Sequence, residues 1–189
     1  MLELMLGSLA PIEGGVRGPG HDTLRPAAVL ALIDPAQAGL PLLLLRRSSA
    51  LRAHPGQVGL PGGSPAPEDG ELWRTALREA NEELGVPPEA VDLRGRATVV
   101  PTWNSGYLIT PFVGLLRFPF QAQPAAVEVE SYFWFPLLPG GAPPARIERE
   151  MTLSSGSLTM PGYAHAEHFV WGATGAIVDD LLARLSRPS

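Results

Sequence analysis

The chain contains no cysteine and no lysine, and each absence removes a class of chemistry. Without thiols there are no disulfides and no thiolate metal sites, so any metal must be held by carboxylates or imidazoles. Without lysine there is no Schiff-base catalysis, and cationic contacts to phosphate fall to arginine or histidine. All 14 Lys/Arg positions are arginine. Long apolar runs are missing as well. No segment approaches the roughly 18 apolar residues of a spanning helix, so no membrane association is expected. Met1–Leu9 is apolar, but it carries Glu3 and lacks a basic stretch, which argues against a secretory signal. The expected location is the cytoplasm. Nor is there an excess of positive charge. The formal net charge of −5 leaves no electrostatic footprint for nucleic acid.

A chain of 189 residues suits one domain with a core that needs no covalent staples. That domain is expected to span 1–189, with 1–23 an extended N-terminal segment whose Gly/Pro-rich part, 10–23, runs over the surface. The 21 glycines and 21 prolines stay just below the share, about 25–30%, at which disorder becomes the default. Regular apolar segments argue instead for a folded domain with proline-rich loops. Ala27–Ile33 and Leu40–Arg46 read as short buried strands, as do Leu93–Val100, Leu108–Leu116, Tyr132–Leu137 and His168–Trp171. Glu150–Ser154 and Ser157–Met160 read as a hairpin around Ser155-Gly156. The apolar spacing predicts helices over 71–84 and 175–185. Strands flanking a central helix, closed by a terminal helix, give an α/β layered domain.

The first of these helices carries the most information. At 100° per residue, Glu79, Glu82 and Glu83 fall within an arc of about 100°. Like charges at this spacing weaken an isolated helix by roughly 0.2–0.5 kcal/mol per pair. Such an arrangement is either solvated or neutralised by a cation. A solvated acidic face is the plainer reading, but two features oppose it. Glu79 and Glu83 lie beside Leu72 and Ala76, at the margin of the apolar stripe, where hydration is lost. A Leu60-Pro61-Gly62-Gly63 turn precedes the helix, and its glycines allow backbone to come close to a neighbour. Oxygen ligands in this number suit Mg²⁺ or Mn²⁺.

The run Arg78-Glu79-Ala80-Asn81-Glu82-Glu83-Leu84-Gly85-Val86 resembles the second half of the Nudix box, with Ala80 at its hydrophobic position. The first half departs from it: the span back to Gly63 is one residue longer than usual, and Asp69 stands near where a glutamate is expected. The stretch from Leu44 to Gly63 resembles the signature of the coenzyme A pyrophosphatase branch, with Leu60 where Phe is usual. Members of that branch share the longer box with its Asp. The likeness continues through Gly106–Gly114 and Trp171–Thr174.

The resemblance implies an α-β-α sandwich around a mixed β-sheet and a metal-dependent diphosphate hydrolase. It implies Glu79 and Glu83 as metal ligands, with Glu82 a further ligand to the same or another ion. Arg78 would orient a glutamate. Glu82 or Glu79, or an acid on a distant loop such as Glu128 or Glu130, would serve as base. An ion on such carboxylates neutralises a diphosphate, orients it and activates water. The branch-specific loop supplies Arg46, Arg47, Arg52, His54 and Gln57, with Gly62 and Gly63, as the expected substrate contacts. Arginine suits an anion-rich ligand because it binds phosphate bidentately.

The small-molecule substrate so implied is coenzyme A or an acyl derivative, cleaved to 3′,5′-ADP and 4′-phosphopantetheine. The alternatives are a Nudix hydrolase of another nucleoside diphosphate derivative, such as ADP-ribose or a dinucleotide, and a non-catalytic ligand-sensing module. A homodimer is left open.

Overall fold

A computed structural model describes residues 1–13, 23–51, 54–102, 104–153 and 156–186. Its centre is an eight-stranded mixed sheet. β1 (Arg25–Ile33) pairs in parallel with β7 (Tyr107–Leu116), and every other pairing in the sheet is antiparallel. β2 (Pro41–Arg47) pairs along its length with β8 (Val129–Pro136), and β5 (Val91–Arg96) and β6 (Val100–Thr102) both pair with β7.

β1 and β2 meet only near their turn, at Ile33↔Leu42. Beyond it they part, and the intervening chain fills the gap. β3 (Val58–Gly59) joins β2 through Leu45↔Gly59, and β4 (Gly62–Gly63) joins β1 through Ala28↔Gly63. The Pro61 carbonyl closes the corner by accepting the Leu30 N–H at 2.8 Å.

Period-two alternation sends the strands' side chains to two cores. Ala28, Leu30, Leu32, Leu43, Leu45 and Phe112 pack beneath α2 (Leu72–Leu84), against Ala76, Ala80 and Leu84. Ala31, Ile33, Leu42, Leu44, Val113 and Leu115 face the other way, toward α1 (Leu2–Gly7) and α3 (Gly172–Leu185). Helices thus cover both faces, giving the expected α-β-α sandwich. A second sheet of β9 (Ile147–Leu153), β10 (Gly156–His165) and β11 (His168–Trp171) leads into α3. No helix among the described residues is long and apolar enough to cross a membrane.

α2 ends where glycine permits. Gly85 takes a left-handed φ of 67°, and its N–H and that of Val86 close the last turn onto Asn81 and Ala80.

The structure corrects two expectations. Leu93–Val100 is not one strand: the ladder shifts register between Leu93 and Gly95, β5 ends at Arg96, and β6 starts at Val100. Ala10 pairs with Arg96 at that break, and its carbonyl lies where a Cβ on Gly95 would sit. The segment 1–23 is not extended throughout, because Leu2–Gly7 is helical and buries Met5 and Leu6 against α3. Residues 14–22, 154 and 155 lie outside the described residues; β9 and β10 pair up to Leu153↔Gly156.

Candidate active site

The two ends of α2 treat their carboxylates differently. Asp69, just before the helix, is buried and fully engaged. Its oxygens accept hydrogen bonds from Ala66 N–H, from Thr75 Oγ1 at 2.8 Å, and from Arg78 Nε and Nη2 at 2.8 and 3.0 Å. This two-pronged arginine contact, aided by the other donors, holds the Asp69 carboxyl well below the usual carboxylate range despite burial. The remaining guanidinium edge of Arg78 reaches Glu82 Oε2 at 2.9 Å, Glu79 Oε1 at 3.0 Å and the Ser64 carbonyl at 3.2 Å. Arg78 therefore ties the loop before the helix to two of the box glutamates.

Glu83, one turn further on, is 3% exposed. One oxygen accepts the Gly62 N–H at 2.9 Å, and the other lies 3.9 Å from Arg47 Nη1. These contacts do not offset its burial. Desolvation lifts its pKa to about 7, helped by the negative charges of Glu79 and Glu128. Burial raises Glu79 too, against the pull of Arg78, with Glu82 and Glu128 adding repulsion. Glu82 is exposed.

Gly63 makes room for this cluster: a Cβ there would lie 2.6 Å from Glu79 Cδ. At Gly62 a Cβ would lie 2.3 Å from the Ala28 carbonyl oxygen. Gly62 requires glycine because backbone of the sheet lies against it, whereas at Gly63 the neighbour is the far end of the Glu79 side chain.

This chemistry fits a divalent cation. The donors are hard oxygens, partly desolvated, with more negative charge than nearby arginines balance. Among the described residues no three carboxylate or imidazole side chains stand posed together as a ligand set; Glu79 and Glu82 are turned to Arg78 instead.

On the α3 side of the glycine pair lies a cavity of about 470 Å³, lined by both glycines. Arg47, His54 and Gln57 form one wall, and His54 Nδ1 is 3.0 Å from Gln57 Oε1. Arg47 Nε is buried without a hydrogen-bond partner among the described residues. Trp171 and Thr174 form another wall, and Thr174 is fixed by donating to the Val58 carbonyl at 3.0 Å. Glu79 and Glu83 do not line the cavity; they meet its glycine edge from the α2 side.

Arg46 is placed elsewhere. It lies 3.5 Å from Glu130 and does not line the cavity. Glu128 is exposed, and its carbonyl accepts the Ser48 N–H at 2.8 Å, which sets it beside the end of β2. Arg52 lies outside the described residues. Sequence reasoning missed Arg25 and Tyr107, which line the far wall, and the anchoring role of Asp69. The segments beginning at Gly106 and Trp171 carried a signal for that wall, since both border the cavity.

A buried and a half-buried glutamate held at a Gly-Gly edge by the helix that follows it define a class, and the family comparison agrees. The NUDIX domain matches residues 23–148, so the chain belongs to the Nudix family and is a Nudix hydrolase. Among its relatives, a protein of Pectobacterium atrosepticum named uncharacterized Nudix hydrolase NudL is 39% identical over 151 residues, which cover 77% of this chain and 75% of that one. Its namesake in Citrobacter koseri is 35% identical over 176 residues, covering 90% and 87%. The crystal structure of a C. elegans Ap4A hydrolase binary complex shares the fold, with a TM-score of 0.51 at 22% identity over 59% of this chain and 80% of that one.

Proposed function

We propose that the protein is a Mg²⁺- or Mn²⁺-dependent hydrolase that splits the diphosphate of coenzyme A, or of its acyl derivatives, in the cytoplasm. The products are 3′,5′-ADP and a 4′-phosphopantetheine. One observation carries this reading. Arg47, His54 and Gln57, on which the coenzyme A resemblance rests, line the same cavity as the glycine edge that Glu79 and Glu83 approach. A diphosphate seated at that edge has the carboxylates on one side and the loop cations on the other.

Nudix hydrolases in general use divalent ions. Here Glu83 and Glu79 would hold the ion, with Glu82 a further ligand, and the chemistry it would supply is neutralisation of the diphosphate and activation of water. Arg78, spent on Asp69, Glu79 and Glu82, orients the glutamates and leaves the substrate to others. Arg47 faces Glu83 across 3.9 Å and lines the cavity, where its guanidinium is placed to meet the phosphates. Glu128, whose charge reaches both Glu79 and Glu83, is a better candidate base than Glu130, which Arg46 occupies.

The test is a substrate comparison with Mg²⁺ and with Mn²⁺, read by product identity. Coenzyme A, dephospho-coenzyme A, ADP-ribose and a dinucleoside polyphosphate are supplied in turn. Fastest turnover of coenzyme A, with release of 3′,5′-ADP, supports the reading. Faster cleavage of ADP-ribose or the dinucleotide sinks it in favour of a broader hydrolase. No metal-dependent product from any of them points to a sensor.

A further inference from the structure

The far wall of the cavity holds a cation that the diphosphate chemistry does not use. Arg25 opens β1 and stands opposite Tyr107 in the parallel ladder with β7. Its guanidinium carbon lies 4.2 Å from the centre of the Tyr107 ring, and Nη2 donates to the Ser105 carbonyl at 3.1 Å. Its backbone N–H donates to the Gly106 carbonyl at 2.9 Å. The group is thus held flat from one side and pinned at one corner, with donors left over. Among the described residues it has no carboxylate at ion-pair distance. Across the cavity, Arg47 faces Glu83 and His54 is bonded to Gln57.

An arginine fixed this way loses little further freedom on binding, and its open edge matches phosphate oxygens. The strand sets the distance. Ala28, the partner of Gly63, is three residue steps from Arg25, or about 10 Å along β1. A ribose ring lying between two phosphate groups, together with the arginine's own reach from the strand, covers a gap of that order.

We propose that Arg25, seated on Tyr107, is a subsite for a phosphate monoester that the substrate carries on its ribose in addition to the diphosphate. It is then a specificity-determining residue, selecting ribose-phosphorylated nucleoside diphosphate derivatives over those with a free ribose. The inference rests on the reading that the cavity takes such a derivative. It adds a substrate contact outside the loop signature, whose Arg46 is paired with Glu130 and does not line the cavity. A nucleobase stacking on the outer face of the guanidinium is the competing occupant, and it would be indifferent to the monoester.

Two measurements decide the matter. The first is calorimetric binding of adenosine 3′,5′-bisphosphate and of 5′-AMP to the metal-free protein. The wild type should prefer the bisphosphate, and Arg25→Ala should remove that preference by roughly ten- to a hundredfold, the worth of a charge-assisted hydrogen bond. The second is kcat/KM for coenzyme A against dephospho-coenzyme A. Here Arg25→Ala should penalise coenzyme A at least about tenfold more, with Arg25→Lys in between because it keeps charge but not the fork.

Equal losses on both ligands, or no loss on either, would overturn the subsite. Arg25 is exposed, so the variants should melt close to the wild type; if Arg25→Ala does not, Arg25→Gln takes its place in both assays. The two readings fail separately. A wild type that does not cleave coenzyme A, yet prefers the bisphosphate through Arg25, sinks the proposed activity and keeps the subsite. Cleavage of coenzyme A with specificity untouched by Arg25 does the reverse.

Discussion

Asp69 and Glu83 are both buried carboxylates attached to the same helix, and their surroundings push them in opposite directions. Asp69 has four donors, including both prongs of Arg78, and its charge is fully compensated. Glu83 has one backbone N–H and an arginine at 3.9 Å, and its charge is not. The first arrangement is complete as it stands and holds the loop to the helix. The second is left short of donors, and the divalent ion proposed above would supply the missing positive charge. Burial by itself distinguishes neither; the count of donors does.

The largest expected effect breaks the satisfied end. Asp69→Ala takes from half-buried Arg78 its one buried carboxylate partner, together with the hydrogen bonds that tie loop to helix, and should cost about 3–5 kcal/mol in urea unfolding. A loss under 1 kcal/mol would mean that Glu79 and Glu82 suffice to hold Arg78.

Next comes the pH response, which has opposite signs at the two ends. Glu83 has its pKa raised from 4.5 to about 7, so the folded metal-free protein binds more protons than the unfolded chain between those values. Stability therefore falls as pH rises from 4.5 to 7, by about 3 kcal/mol from this group. The depressed Asp69 does the contrary. Its contribution is full above its unfolded value of 3.8 and is lost as pH falls below it. Denaturant titrations of the metal-free protein against pH, with and without Glu83→Gln, separate the two. A slope above pH 4.5 that survives the substitution would assign it to another group.

Glu83→Gln itself should lower turnover at saturating metal by at least about a hundredfold, the order expected on losing a group that stabilises transition-state charge. The amide oxygen still accepts the Gly62 N–H, so metal-free stability at pH 8 should hold or rise. Near-wild-type turnover would remove Glu83 from the site.

The smallest effect sharpens the contrast. Gly63→Ala puts a methyl group against the far end of the Glu79 side chain, which can swing aside. Stability should change by less than about 1 kcal/mol while turnover drops about tenfold, short of the hundredfold that a roughly 1 Å misplacement can cost. If melting temperature fell more than activity did, the close contact would be structural.

Much of this was legible in the sequence, for reasons that vary by element. α2 and its acidic arc could be read because 13 residues show a helical period and Gly85 marks the stop. The strands beneath it could be read from apolar runs bounded by glycine and proline. β3 and β4 could not, since two residues have no period; their pairing is dictated by the parting of β1 and β2. α1 is six residues long, too short for its stripe to declare itself before α3 covers it. Within the site, Glu79, Glu83 and the glycine pair followed from spacing along one short stretch. Asp69 registered only as a departure from a motif, because what it does depends on where Arg78 reaches back to it. Arg25 and Tyr107 left no trace in spacing, because parallel strands join them across the whole of residues 26–106.

That parallel join has a consequence for how the molecule is made. Antiparallel neighbours can zip from a turn, but β1 must wait for β7, and closing so long a loop forfeits chain entropy before any contact returns it. On the ribosome the acidic helix emerges well before residue 107, so for an interval the chain carries its cluster of carboxylates and the loop wall of Arg47, His54 and Gln57 without the wall that Tyr107 completes. The seating of Arg25 on Tyr107, and with it the specificity proposed above, is acquired in one late docking event, when the strand bearing Tyr107 finds the strand bearing Arg25.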